Sequence, residues 1–84
     1  MNYQLANLST DLRRISNWCY YGKVSLVNQV LDRTKVIYNI DKRQGPYEDI
    51  WVEIEKIKLQ EGGKMKAADR ATTLSSILLH ESLK

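Results

Sequence analysis

Apolar residues recur at spacings of three and four along most of the chain, which is the pattern of α-helices that bury one face. The first helix is predicted from about Asn2, whose side chain suits an N-cap, to Tyr21. Gly22 follows and favours a left-handed C-terminal cap. The apolar stripe of this helix consists of Leu5, Leu8, Leu12, Ile15 and Cys19.

The second segment, from Lys23 to about Ile40, has no glycine or proline and keeps the helical spacing. Its stripe consists of Val27, Val30, Leu31, Thr34, Ile37 and Tyr38. Residues 36–40 are also rich in strand-preferring side chains and alternate in polarity. An alternative to helices here is a β-hairpin formed by residues 35–41 and 50–59.

The polar connection that ends in Gly45-Pro46 is the clearest interruption in the pattern. A third helix is predicted to begin immediately after it, with Pro46 at the first helical position and Gly62-Gly63 as the stop. A fourth helix is predicted from Lys64 to about Leu83. Serine and threonine side chains in its middle are small enough to let a neighbouring helix approach closely.

Four such segments joined by short turns predict an all-α fold, an up-and-down bundle of four helices in a single domain of residues 1–84. A three-helix core with a loose fourth segment is the nearest variant. A chain of 84 residues buries only a small core. Self-association would compensate for the small core. It would also cover several large apolar residues that lie outside the stripes and are expected to be exposed in a single bundle: Tyr47, Trp51, Val52, Leu59 and Leu79.

Composition and cysteine count narrow the class of protein. The chain is 43% hydrophobic and 27% charged, which is ordinary for a folded globular protein. It has no apolar run of membrane-spanning length and no secretory signal pattern at its start, so a cytoplasmic protein that does not enter membranes is expected. Cys19 is the only cysteine, and its place on the apolar stripe predicts a buried structural thiol.

The residues that catalysis or metal binding would require are scattered or absent. One histidine and one cysteine cannot supply the four ligands of a structural zinc site. The Glu-x-x-His pattern of carboxylate-bridged metal bundles is missing, and no glycine-rich phosphate loop is present. We therefore expect no enzyme, no cofactor and no metal.

Aromatic and basic residues concentrate near the first turn, where Trp18, Tyr20, Tyr21 and Lys23 follow Arg13 and Arg14. Such a mixture can stack on bases and neutralise phosphates. The alternative is that Trp18 and one tyrosine close the end of the bundle. The full candidate interaction surface is Arg13, Arg14, Trp18, Tyr20, Tyr21, Lys23, Lys42, Arg43, Tyr47 and Trp51.

These patterns favour a small helical protein without catalytic activity that acts by binding a protein partner or by self-association. The second hypothesis is a nucleic-acid-binding module. It is based on residues 1–45, whose seven lysines and arginines against three acids give a net charge of +4, whereas residues 46–84 carry −1. The cations concerned are Arg13, Arg14, Lys23, Arg33, Lys35, Lys42 and Arg43.

Overall fold

Helices form where the three-four stripes lie in the sequence. The computed structural model describes residues 2–84. Within them lie four α-helices, and the predicted all-α bundle is confirmed. The helices are α1 (Tyr3–Tyr20), α2 (Val24–Ile37), α3 (Ile50–Lys58) and α4 (Lys64–Ser82).

Both ends of α1 are fixed by the caps that the sequence predicts. The side-chain oxygen of Asn2 accepts hydrogen bonds from the backbone N–H groups of Gln4 and Leu5, at 3.1 and 3.2 Å. At the other end Gly22 takes a left-handed conformation with φ of +75°. The backbone N–H of Lys23 then donates to the Trp18 carbonyl at 2.9 Å, which satisfies a carbonyl that the helix leaves free.

α1 and α4 form the closest helix pair, and they run antiparallel. The Ser9 hydroxyl donates to the Ser75 carbonyl at 2.6 Å, and the Ser75 hydroxyl donates to the Ser9 carbonyl at 2.7 Å. Further along, the Ser16 hydroxyl donates to the Ala68 carbonyl at 3.0 Å and lies 2.6 Å from the Thr72 hydroxyl. The small residues of α4 therefore allow the close approach that the sequence predicts.

The helices follow one another around the bundle, so that α2 packs on α1 and α3, and α4 closes the ring. Each helix contributes to the single core. The three isoleucines of α3 are all buried, and so are Leu74 and Leu78 of α4, so the fourth segment belongs to the core and the variant with a loose fourth segment is wrong. The core comprises Leu5, Leu8, Leu12, Ile15, Cys19, Val27, Leu31, Ile40, Ile50, Ile54, Ile57, Ala67, Ala68, Ala71, Leu74 and Leu78.

The predicted end of α2 near Ile40 is wrong, because the helix stops at Ile37 and Tyr38 is extended. Tertiary contacts replace the missing helical turn. The backbone N–H of Asn39 donates to the side-chain oxygen of Gln4 at 2.6 Å, and Ile40 enters the core. The segment after α2 is thereby held against α1.

The predicted bounds of the third helix are also wrong. Pro46 lies in a turn that is closed by a hydrogen bond from the Tyr47 N–H to the Gln44 carbonyl. The helix α3 begins only at Ile50. Its N-cap is Asp49, whose side chain accepts a hydrogen bond from the Trp51 N–H at 2.9 Å. The helix ends at Lys58, before Gly62-Gly63. Gln60, with φ of +52°, supplies the left-handed residue of the C-terminal cap.

The alternative hairpin of residues 35–41 and 50–59 is wrong as well. Residues 50–58 are helical, and the chain from 38 to 41 is not paired in a sheet. Across residues 2–84 the sole β-bridge joins Gln44 to Tyr47. Val36 and Ile37 therefore complete the helix α2 despite their preference for strands. The burial of Leu31 and Thr34 in the helical conformation outweighs that preference.

Candidate functional site

A cleft between α1 and α2 brings predicted interaction residues together with residues that the sequence assigned to the core. Its volume is about 230 Å³. Arg14 and Trp18 project from α1, and Arg33 projects from α2. The residues that line this α1–α2 cleft are Asp11, Arg14, Trp18, Val30, Arg33, Thr34, Ile37 and Tyr38.

The floor of the α1–α2 cleft is apolar. Trp18 and Val30 are half-buried and pack on the core. Thr34 is buried, and its hydroxyl donates to the Leu31 carbonyl at 2.7 Å, so that it offers little polarity to the cleft. Ile37 also lines the cleft and is 59% exposed. A ligand entering here would meet aromatic and aliphatic surface.

The only acid in the cleft lining, Asp11, is held by a hydrogen bond across the two walls. The Tyr38 hydroxyl donates to the Asp11 carboxylate at 2.6 Å. Burial raises the pKa of Tyr38 to about 12, with a further contribution from the Asp11 carboxylate, while the charge of Arg14 opposes the rise. This bond joins the end of α2 to α1 and occupies part of the acid's accepting capacity.

The two arginines of the cleft, one on each helix, are exposed. Neither forms an ion pair with any residue between 2 and 84. The ion pairs in that range are Glu53 with Lys56, Asp32 with Lys58, Glu61 with Arg70 and Glu81 with Lys84. Two guanidinium groups without an ionic partner therefore flank an apolar floor.

The aromatic turn after α1 divides between the cleft and the solvent. Trp18 belongs to the cleft, whereas Tyr20 and Tyr21 are 51% and 71% exposed. Their rings pack edge to face with centroids 5.3 Å apart. Neither tyrosine closes the end of the bundle, so that part of the alternative interpretation is wrong. Lys23 is exposed beside them.

Lys42, Arg43 and Tyr47 lie elsewhere, on the connection between α2 and α3. They line a broad, shallow depression of about 540 Å³ together with Glu48 and Asp49. The two cations there face two acids, so the depression carries no clear excess charge. Tyr47 is half-buried, and burial raises its pKa, with a smaller contribution from Glu53.

Trp51 occupies a separate cleft of about 130 Å³ between α2 and α3. The Lys58 ammonium group donates to the Asp32 carboxylate across this α2–α3 cleft at 2.5 Å. Val36, which is 87% exposed, lies on its rim. The sequence predicts that five large apolar residues outside the stripes are exposed. This is confirmed for Val52, Leu59 and Leu79. It is wrong for Trp51 and Tyr47, which are half-buried against the core.

The seven cations of the basic half do not share one cleft. Arg14 and Arg33 line the α1–α2 cleft, and Lys35 lines the α2–α3 cleft with Lys58. Lys42 and Arg43 lie in the depression on the loop. The remaining two, Arg13 and Lys23, are exposed on α1 and at the following turn.

Metal ligands, membrane-spanning helices and the cysteine also bear on the chemistry of residues 2–84. These residues contain no group of three or more histidine, cysteine, aspartate or glutamate side chains that could hold a metal ion. None of the helices in this range is both long and apolar enough to cross a membrane. Cys19 is buried, as predicted, and burial raises the pKa of its thiol.

Comparison with known proteins gives no match to a family model, a curated protein or a solved structure. The sequence does not predict five of the residues that line the α1–α2 cleft, namely Asp11, Val30, Thr34, Ile37 and Tyr38. Four of them lie on the apolar stripe of α2, and such a stripe is usually core. No sequence signal marks Asp11, since its partner Tyr38 is 27 positions away.

Proposed function

We propose that this chain is a non-catalytic interaction protein that docks a protein partner, or another copy of itself, at the α1–α2 cleft. The observation that carries the proposal is the pair Arg14 and Arg33, which have no ionic partner among residues 2–84 and flank the apolar floor around Trp18. Tryptophan and arginine dominate the binding energy of protein interfaces.

The size of the cleft supports a protein partner rather than a small molecule or cofactor. Its 230 Å³ is below the roughly 300–1,000 Å³ of typical small-molecule sites. A volume of this order suits one anchoring side chain of a partner, surrounded by contacts at the rim. Ile37 would extend the contact along α2. A cytoplasmic location stays a prediction.

Nucleic-acid binding is the second candidate, and Arg14 and Arg33 beside an indole are its best support. The remaining cations lie in other clefts, elsewhere on α1 or at the turn after it, so a phosphate backbone would have to follow several faces. Asp11 and Asp32 also lie on the two helices concerned. This function predicts binding that weakens steeply with salt.

The test is photo-crosslinking in cells, with a benzophenone amino acid placed at Ile37 or, as control, at Met65. These side chains are 59% and 55% exposed and lie on different helices. We expect one defined adduct, with another protein or with a second copy, from position 37 and not from position 65.

Competition identifies a specific complex. When the crosslinking is repeated in a lysate, purified unmodified chain added before irradiation should suppress the adduct, and chain carrying Ile37→Asp should not. Sedimentation velocity at several concentrations then separates self-association from a different partner. An adduct from position 65 alone, or adducts that competition leaves unchanged, would contradict the proposed function.

A further inference from the structure

We propose that the segment docked in the α1–α2 cleft is an acidic peptide segment of another protein, with one apolar anchor flanked by carboxylates. This inference rests on the proposed function and adds the chemistry of the partner. The anchor would occupy the floor beside Trp18 and Val30. The carboxylates would meet Arg14 on one wall and Arg33 on the other.

The charges of the cleft select this partner. The lining holds two cations and one acid, and that acid already accepts the Tyr38 hydroxyl at 2.6 Å. A guanidinium group presents a planar set of donors that matches a carboxylate with two parallel hydrogen bonds. A basic segment would instead place like charges beside Arg14 and Arg33, which disfavours binding.

The position of the arginines also favours an extended or helical segment over a free anion. They are carried by different helices and have the apolar floor between them. A single small anion could bind the guanidinium groups, but it would leave the apolar floor exposed to water. A segment with an apolar side chain between acids uses both features at once, as in helix-in-groove recognition.

A second copy of this chain is the competing occupant, because α3 itself carries an exposed strip with the same chemistry. Val52, Glu55 and Leu59 are exposed and follow helical spacing. Sedimentation equilibrium of the chain alone decides between the two. Self-association that Glu55→Lys abolishes would assign the cleft to a second copy and overturn the proposal.

The direct test measures fluorescence anisotropy of three short labelled peptides that share one leucine anchor and carry flanking Glu, Gln or Lys. We expect the Glu peptide to bind about tenfold more tightly than the Gln peptide, with the Lys peptide weakest. The double variant Arg14→Glu/Arg33→Glu should reverse the order of the Glu and Lys peptides. Arg13→Glu/Lys23→Glu, which changes the net charge equally outside the cleft, should preserve it.

The outcomes separate the two proposals. Equal binding of all three peptides, lost with Ile37→Asp, would overturn the acidic partner and leave docking at the cleft intact. Absence of binding by the Glu peptide would overturn the acidic partner, while the crosslink from position 37 would still report on docking. Tighter binding of labelled oligothymidylate, lost in the Arg14→Glu/Arg33→Glu variant, would assign the cleft to nucleic acid and contradict both.

Discussion

Replacement of Ser75 by leucine tests whether the contact between α1 and α4 is as close as the structure indicates. Ser75 and Ser9 are both buried, and each hydroxyl donates to the other residue's carbonyl, at 2.7 and 2.6 Å. Their hydroxyl oxygens are 3.1 Å apart. A leucine at position 75 therefore has to enter a space that a hydroxymethyl group already fills.

The magnitude follows from two losses. Removing the buried hydrogen bond costs about 1 kcal/mol. Forcing a larger side chain into a packed contact costs about 1–3 kcal/mol more, which gives a total of about 2–4 kcal/mol in the free energy of unfolding. Ser75→Ala, which removes only the hydrogen bond, should cost about 1 kcal/mol.

Urea unfolding followed by circular dichroism measures these differences, and Ser76→Leu is the matched control. Ser76 is the next residue on α4 and is exposed, so its replacement should change stability by less than about 0.5 kcal/mol. In thermal unfolding each kcal/mol lost lowers the midpoint by about 4–8 °C in a domain of this size. Equal stability of the Ser75→Leu and Ser76→Leu variants would refute the close contact.

Three other changes test local features of the fold. Gln60→Gly should stabilise by about 0.5–1 kcal/mol in urea unfolding, because it relieves a left-handed residue. Gly45→Ala should destabilise by about 1–3 kcal/mol, because φ is +56° and the new Cβ would lie 2.7 Å from Ile77 Cγ2. Tyr38→Phe should abolish the stability that depends on the Asp11 hydrogen bond. Because burial, and then the hydrogen bond to Asp11, raise the pKa of Tyr38 from 10.0 to about 12, the difference in stability between wild type and this variant should hold below pH 10 and shift against wild type toward pH 12.

Each of these changes has a control. Gln60→Ala removes the side-chain amide, whose buried nitrogen has no hydrogen-bond partner in the described part of the chain. It keeps the left-handed strain, so it should gain less stability than Gln60→Gly. Gly22→Ala meets no atom within 4 Å at φ of +75° and should show the cost of backbone strain alone. A difference between wild type and Tyr38→Phe that stays constant from pH 9 to 12 would refute the raised pKa of Tyr38, which burial and the hydrogen bond to Asp11 cause.

Sequence patterns predict the parts of the fold that depend on local interactions. The stripe from Leu5 to Cys19 and the caps at Asn2 and Gly22 define α1 within one residue at each end. The end of α3 was missed because Gln60 adopts a conformation that favours glycine, while Gly62-Gly63 nearby gives the stronger stop signal.

The candidate site depends on packing that the sequence does not reveal. Trp18 and Arg14 were predicted as interaction residues, but their neighbours in the cleft come from α2. The antiparallel register of the two helices places Tyr38 against Asp11 and Arg33 near Arg14. That register is fixed by burial along the whole length of both helices, so no local motif encodes it.

The two tryptophans provide the most direct test of docking at the α1–α2 cleft, because Trp18 lies in it and Trp51 lies in the α2–α3 cleft. Each indole N–H gives its own signal in a nitrogen–proton correlation spectrum. On titration with the Glu peptide we expect the Trp18 signal to shift with the binding curve, while the Trp51 signal stays in place. A shift of Trp51 without Trp18 would contradict docking in the α1–α2 cleft.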